Sequence, residues 1–416
     1  MFTSCVVPIP VMHIPASFKI FIAILATHIQ PFMESVLPLQ KPRIHSIDIL
    51  RGIIMVLMAL DHTRDFFSNA AFEPLDLDKT TAAYYLTRWI THLCAPTFIF
   101  LSGASAYLSS QKKTRRQTSR FLLSRGLWLI FLELTVIGFG WLFDPGFHLI
   151  FAQVIWAIGF SMIFLAALVY LKPLHIGIIG LVIIFGHNLL DGIKSASWGQ
   201  YKFFWMFLHE QNLYAINKTH AIMLLYPVVP WCGVMAAGYA SGTLFQFEPA
   251  VRQRLLIQIG LCCILLFLLL RLFNIYGDPR PWTHQHNLEK DVFDIMNVQK
   301  YPPSLAYLLI TLGISITTLG LLEFTNNSVT KIFTTYGRVP MFYYVLHIYL
   351  LHLAALLTAI SEHSSLNGLS SLGPQHGFSL PVVYLIWLSA VVLLYFPCHW
   401  FMQVKQRRRN WWLSYI

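Results

Sequence analysis

Stretches of about 20 mostly apolar residues recur from one end of this 416-residue chain to the other, near 47–67, 85–109, 121–143, 149–171, 174–191, 220–246, 255–275, 303–323, 330–358 and 378–402. A run of that length is what an α-helix needs to cross roughly 30 Å of hydrocarbon. No long polar block separates the runs, so residues 41–416 read as a single all-α integral membrane domain of about ten transmembrane helices. Composition agrees: 56% of residues are hydrophobic and 11% are charged, whereas a soluble domain carries about 25% charged residues on its wet surface.

The formal net charge of +11 would suit a nucleic-acid partner only if the basic residues formed one face, and they do not. Lys112, Lys113, Arg115, Arg116, Arg120 and Arg125 cluster beside one apolar run, and Lys405, Arg407, Arg408 and Arg409 follow the last one. That is the positive-inside pattern of a multi-pass membrane protein, with the lipid bilayer as partner and no nucleic acid. An even number of spans places both termini on the basic side, which the rule makes cytoplasmic. The opposite loops, 68–84, 192–219 and 276–302, are longer and mixed in charge, and face the exterior or a lumen; for a bacterial chain the membrane would be the plasma (inner) membrane. Residues 1–40 stay open between an interfacial segment, an eleventh span and an untranslated stretch ahead of Met33. The six cysteines fall mostly in apolar runs without a CxxC, so neither a disulfide framework nor a metal site is expected.

Ionisable side chains inside spans are costly and usually face a partner or a cavity, so function is sought there. The strongest group lies in SIDILRGIIMVLMALDHTRDFF, at 46–67. Arg51 and His62 are eleven residues apart; at about 100° per residue they return to one face with an offset near 20°, roughly 16 Å apart along the axis. The spacing predicts a guanidinium and an imidazole looking into one protein-enclosed tunnel. Asp65 lies close to the face of His62, Asp61 points to one side, and Arg64 completes four ionisable residues in five positions. Asp48 stands one turn before Arg51, where it pairs with it. An ordinary alternative is that Asp61 to Asp65 simply mark the end of the span. Against that, such a group resembles a preorganised acid/base site, and histidine is the side chain best suited to exchanging a proton near neutral pH.

In the second run Arg88 and His92 are spaced i,i+4, with Pro96 predicted to kink the helix; His92 is a second histidine that could meet the first. Glu133, Arg338 and His347 are the strongest of the remaining intramembrane polar residues, beside Gln153, the pair His187 and Asp191, Arg271 and His352. The pair His284 and His286 lacks a clear third ligand and reads as a solvated loop. No GxSxG elbow or GxxxxGK[ST] loop is present, which argues against an ordinary serine hydrolase and a nucleotide-driven pump.

Four blocks resemble the heparan-α-glucosaminide N-acetyltransferase-like membrane proteins: RIHSIDILRGIIMVLMALDHTRDFF at 43–67, TRWITHLCAPTFIFLSG at 87–103, KYPPSLAYLLITLG at 300–313 and YGRVPMFYYVLHIYLLH at 336–352. Arg51 followed by ten residues and His62 also looks like the Arg-x10-His motif of membrane O-acyltransferases. The resemblance implies acetyl transfer across the membrane, from cytoplasmic acetyl-CoA to an amine or hydroxyl of a sugar-like acceptor on the far side. It implies catalytic roles for His62 as base, with Asp65, Asp61 and His92 near it. Lys112, Lys113, Arg115, Arg116 and Arg51 would hold the phosphates of the donor, and Arg64, Arg88, Glu133, Arg338 and His347 would line the cavity. The lysosomal member carries its implicated histidine in the loop after the first family helix, following an asparagine; the loop 68–84 has no histidine here, and His62 stands near the asparagine's place. No metal is expected, a small molecule or glycan is the expected acceptor, and a homodimer is compatible. Two other readings are carried: a proton-coupled transporter or flippase using the same histidines and carboxylates, and a structural membrane subunit.

Overall fold

The computed structural model of the chain describes residues 44–363, 377–408, 410 and 413; the segment 1–40 and its three readings lie outside them. Helix α1, His45–Phe67, starts after the extended residue Ile44 with Asp48 in its first turn, and stops at the extended Ser68, whose N–H returns to the Arg64 carbonyl. Then follow α2 (Ala82–Ile90), a 3-10 turn (Thr91–Leu93) and α3 (Cys94–Ser110), and next α4 (Arg115–Leu132), a π turn (Glu133–Ile137) and α5 (Gly138–Leu142). Strand β1 (Leu149–Ala152) leads into α6 (Val154–Leu168), and α7 (Pro173–Gly186) into the 3-10 turn His187–Leu190. A polar stretch holds α8 (Lys202–Leu208), β2 (Asn212–Ala215) and β3 (Ala221–Leu224). The chain continues through α9 (Val228–Ser241), α10 (Pro249–Leu272), α11 (Leu288–Met296), α12 (Leu305–Leu321), α13 (Ser328–Arg338), α14 (Pro340–His363) and α15 (Leu380–Arg407).

Among the described residues, seven helical segments are long and apolar enough to cross a membrane: Ala82–Ser110, Arg115–Leu142, Pro173–Leu190, Val228–Gln246, Pro249–Leu272, Pro340–Ser361 and Leu380–Arg407. α6 and α12 are apolar but shorter. The chain is thus an all-α integral membrane protein. The outer helices show the sequence consequence of lipid contact: α10 leaves Leu261, Leu265, Leu269 and Leu272 exposed, and α15 leaves Leu385, Val392, Leu393 and Phe396 exposed.

α1 sits in the middle of the bundle, against α3, α12, α13, α14 and α15. Its contact with α13 is backbone on backbone. A Cβ on Gly52 would lie 1.8 Å from the Phe333 carbonyl oxygen, and one on Gly337 would lie 1.8 Å from that of Asp48; small residues permit this approach where helices pack by shape. The apolar run 330–358 is two helices, broken at Val339, whose non-helical backbone precedes Pro340. Proline disfavours a helical conformation in the residue before it, which accounts for the break.

Two runs, 149–171 and 220–246, begin as strands rather than helices. β1, β3 and β2 form a three-stranded sheet in that order, with β1 parallel to β3 and β2 antiparallel to it; Ile150 pairs with Ile222, and Tyr214 pairs with Ile222 from the other side. The sheet lies at the end of the bundle where α1 finishes, here termed the sheet face. The end where α1 starts carries the loops rich in Lys and Arg and is the basic face; Glu323 there accepts from Ser46 Oγ at 3.3 Å and pairs with Arg252.

The expected kink at Pro96 is displaced. The irregularity is the 3-10 turn just before α3, and Pro96 falls in the first turn of α3. Proline has no N–H to give the carbonyl four residues back, and that carbonyl, of His92, accepts instead from the Tyr307 hydroxyl at 2.8 Å.

Candidate active site

A cavity of about 410 Å³ enters the bundle at the sheet face, floored by the last two turns of α1. β1 ends directly into Gln153 and Val154, and β3 into Leu225 and Tyr226; all four line the cavity. The sheet thus delivers two chain segments to the same wall. α1 contributes Asp61, His62, Arg64 and Asp65, and α2 contributes Arg88.

Charges in this layer are paired across helices. Arg88 Nη1 donates to both carboxylate oxygens of Asp61, each at 3.2 Å, and to Thr91 Oγ1 at 3.2 Å. Arg64 Nη2 lies 2.8 Å from Asp61 Oδ1 and 2.6 Å from Asp65 Oδ1. The side chains of Asp61, Arg64 and Arg88 are 15%, 8% and 13% exposed, against 41% for Asp65. Pairs so far from bulk water attract more strongly than surface pairs. Asp61 is consequently a fixed counter-charge for two guanidinium groups, while Asp65 is the open carboxylate at the rim.

His62 lies beneath this layer and is 9% exposed. Its Nδ1 is 2.7 Å from Nε2 of the buried His347 on α14, and the two rings stack at 5.0 Å with 9° between planes. His347 Nδ1 is 3.0 Å from the Tyr343 carbonyl oxygen. A carbonyl only accepts, so His347 Nδ1 carries hydrogen; with His347 neutral, its Nε2 is then an acceptor and must receive hydrogen from His62 Nδ1. The chain of bonds leaves the proton-free nitrogen of His62 at Nε2, which makes no hydrogen bond among the described residues. Trp141 sets its ring edge-on to His62 at 4.8 Å.

The other residues singled out by sequence take different positions. His92 is buried at 1% and packs against Tyr307 at 5.5 Å; among the described residues it meets no histidine and its two ring nitrogens have no hydrogen-bond partner. His347 holds the place opposite His62 that His92 was expected to hold. Arg51 is absent from the cavity lining, which on α1 starts at Met58; its guanidinium donates to Ser105 Oγ at 2.8 Å and to the Gly337 carbonyl at 3.3 Å, with Asp48 at 3.7 Å. Arg338 lies at the same basic end, 3.4 Å from Asp48. Arg51 and His62 therefore share a helix face without sharing this cavity.

Glu133 is fully buried and does not itself line the cavity; its Oε1 accepts the N–H of the lining residue Gln153 at 3.0 Å. The Glu133 carboxyl thus bonds the backbone of the residue that opens α6. Lys112, Lys113, Arg115 and Arg116 are exposed on the basic face; Lys113 sits over the Phe121 ring at 3.8 Å, and Arg115 donates to the Tyr170 carbonyl at 2.6 Å.

Sequence reasoning missed Glu73, Lys300, Tyr301 and Tyr344, which also line the cavity. Lys300 makes no ion pair among the described residues, and its ammonium lies 5.1 Å from the Tyr301 ring. Its position follows from Arg271, buried at 3%, which donates to the carbonyls of Asp294 and Asn297 at 2.9 and 3.0 Å and so folds the loop before α12 inward. Nothing in the periodicity of α10 announces that role; the pull of one buried guanidinium on loop carbonyls is a tertiary effect.

Fold and site together define an integral membrane protein with a polar, histidine-floored cavity reached from one face. The family described as heparan-alpha-glucosaminide N-acetyltransferase, catalytic, matches residues 43–272, more than half of the chain, and the chain belongs to that family. It is a membrane-embedded transferase. The match takes in Asp61, His62, Arg64, Asp65 and Arg88 and stops short of Lys300 and His347. No curated protein matches the chain.

Proposed function

We propose that this protein moves an acyl group, acetyl in the first instance, from a coenzyme A thioester to an amine or hydroxyl of a sugar-like acceptor seated in the sheet-face cavity. One observation carries the assignment: the bond from His62 Nδ1 to His347 Nε2, backed by the Tyr343 carbonyl, leaves Nε2 as the proton-free nitrogen of His62, a residue of the cavity lining. His62 Nε2 takes the proton of the acceptor N–H or O–H as the acceptor attacks the thioester carbonyl. The C–S bond breaks as the new C–N or C–O bond forms, and the proton passes from His62 to the departing thiolate. His347 is a positioning residue, fixing the tautomer and ring plane of His62. Asp61 holds Arg64 and Arg88 in place around the acceptor, and Asp65 at the rim is the second candidate to orient it. Lys300, without a carboxylate partner among the described residues, is suited to the charge that develops on the carbonyl oxygen.

We place the basic face in the cytoplasm, with ten crossings made by α1, the seven long segments, α6 and α12, and both ends of the membrane domain on that side. Support comes from the Lys and Arg of the 111–125 region and of the end of α15. Lys112, Lys113, Arg115 and Arg116 would meet the donor's phosphates as point charges. Arg51, with Ser105, would stand on the acyl path, three turns from His62 or roughly 16 Å.

The test is transfer of labelled acetyl groups by the full chain in proteoliposomes, with acetyl-CoA on one side and amino sugars on the other. His62→Ala should lose about 10²-fold or more in rate; unchanged transfer would take His62 out of the mechanism. Proton-coupled uptake of the acceptor in the absence of any acyl donor would favour a transporter instead.

A further inference from the structure

A second cluster of metal-ligating side chains lies on the sheet face, apart from the cavity and sharing no residue with its lining. His187 is the first residue after α7, Asp191 follows one turn later, and His209 is the residue after α8. One ligand atom from each lies within 4.8 Å of the other two. His187 Nδ1 and His209 Nε2 are 3.4 Å apart, and His209 Nε2 is 3.8 Å from Asp191 Oδ1. In a tetrahedral site with bonds of about 2.0–2.2 Å, neighbouring ligand atoms are separated by roughly 3.3–3.6 Å, so two of the separations already fall near that range.

The site is built rather than incidental. His187 and His209 are each 3% exposed, and Asp191 Oδ1, the carboxylate oxygen nearest His209, is a buried polar atom with no hydrogen-bond partner among the described residues. Buried polar atoms are rarely left unpaired without a reason such as an ion. The other oxygen of Asp191 is already held: Asn188 Nδ2 donates to Oδ2 at 2.8 Å, while Asn188 Oδ1 accepts the Leu305 N–H at 2.9 Å. Orientation of a carboxylate by an outer amide, leaving one oxygen free, is the arrangement expected around a metal. Trp205 stacks on the His209 ring at 5.7 Å and donates to the Ile193 carbonyl at 2.9 Å, fixing the histidine from behind. His209 Nε2 also lies 2.8 Å from the His187 carbonyl oxygen, a bond that an ion would replace with a stronger one.

We propose that His187, Asp191 and His209 bind a zinc ion, with water as fourth ligand, and that the ion pins the polar segment between α7 and β2 to the end of the α7 span. Two imidazoles and one carboxylate suit zinc better than magnesium or calcium, which take oxygen ligands. Asp191, 19% exposed on its side chain, gives the ion and its water a way in from the aqueous phase. Sequence alone singled out His187 with Asp191 and could not supply His209, which is eighteen residues further on in a polar stretch.

The experiment uses the full chain purified in detergent without a polyhistidine tag, stripped with chelator and titrated with zinc chloride. Wild type should retain one equivalent after desalting and unfold at a higher temperature with zinc than without. Asp191→Asn keeps the bond from Asn188 and removes the charge; it should bind at least tenfold more weakly and lose the thermal shift, as should His209→Gln. Cobalt substitution should give the intense visible absorption of a four-coordinate site in wild type and not in Asp191→Asn. His284→Ala with His286→Ala should change none of these. Retention by wild type no greater than by the His187→Ala, His209→Gln double variant, equal affinity in Asp191→Asn, or a weak six-coordinate cobalt spectrum would each overturn the proposal.

Discussion

Arg88 reaches both oxygens of Asp61 with one nitrogen, at 3.2 Å each, across the gap between α2 and α1. Asp61 is also the partner of Arg64 at 2.8 Å, so one carboxylate balances two guanidinium groups in a region largely closed to water. Breaking a buried pair by removing one member leaves an uncompensated charge, which costs about 3–5 kcal/mol. Asp61→Asn should therefore lower the unfolding temperature of the purified protein clearly. Adding Arg88→Met should recover part of the loss. Strictly additive effects in that double-mutant cycle would show that the two side chains do not act on each other.

His347 does not line the cavity, and its proposed influence on the reaction runs through His62. His347→Phe keeps an aromatic ring on the stack but offers no acceptor to His62 Nδ1. Turnover should fall by about 10²-fold with little change in KM for either substrate. His347→Gln, which can both accept and donate, should restore part of the turnover. A fall in KM effects alone, with turnover intact, would contradict the positioning role.

Gly52 and Gly337 let α1 and α13 touch along their backbones. A methyl group at Gly52 would stand 1.8 Å from a carbonyl oxygen, and relief requires the two helices to separate. Overpacking of this kind costs about 1–3 kcal/mol or more. Gly52→Ala should destabilise the protein and disturb the network of Asp48, Arg51 and Arg338 beside it, read as a lower unfolding temperature together with weaker binding of the acyl donor.

Asp144, in the turn between α5 and β1, accepts the backbone N–H of His148 at 2.7 Å and of Gly146 at 2.9 Å. These bonds, with that of His148 first, hold its carboxyl below the ordinary value of 3.8. A carboxyl depressed in the folded state stabilises above its unfolded value and loses that contribution as pH falls through the folded value. Protection of the Gly146 and His148 amides, taken as the ratio of the free-peptide exchange rate to the observed one at each pH, should accordingly hold at neutral pH and fall only on acidification below about pH 4. Asp144→Asn should abolish that step.

Much of the bundle was legible because apolar length is a one-dimensional signal. The run 47–67 is α1 within two residues of its start, and 174–191 covers the α7 span. The run 330–358 was less so, because the break at Val339 depends on one proline inside otherwise continuous hydropathy. The strands β1 and β3 were hidden for a related reason: short apolar strands that lead into helices extend the same apolar run. At the site, Asp61, His62, Arg64 and Asp65 stood out on one helix. Their partners did not: His347 is 285 residues from His62, and periodicity gives the face of a helix without giving the height at which another helix meets it. Spacing put Arg88 and His92 on one face, yet the 3-10 turn after Ile90 turns His92 into the packing around Tyr307.

The parallel pairing of β1 with β3 bears on how this protein would respond to its lipid. Helices that cross a bilayer tilt and shift when its thickness changes, and a binding site built from their side chains alone would deform with them. Here Gln153 and Tyr226 follow two strands tied by a hydrogen-bonded ladder, so their spacing is set by peptide geometry. One side of the chamber should keep its shape in thick and thin membranes alike, leaving the α1 side to absorb the strain.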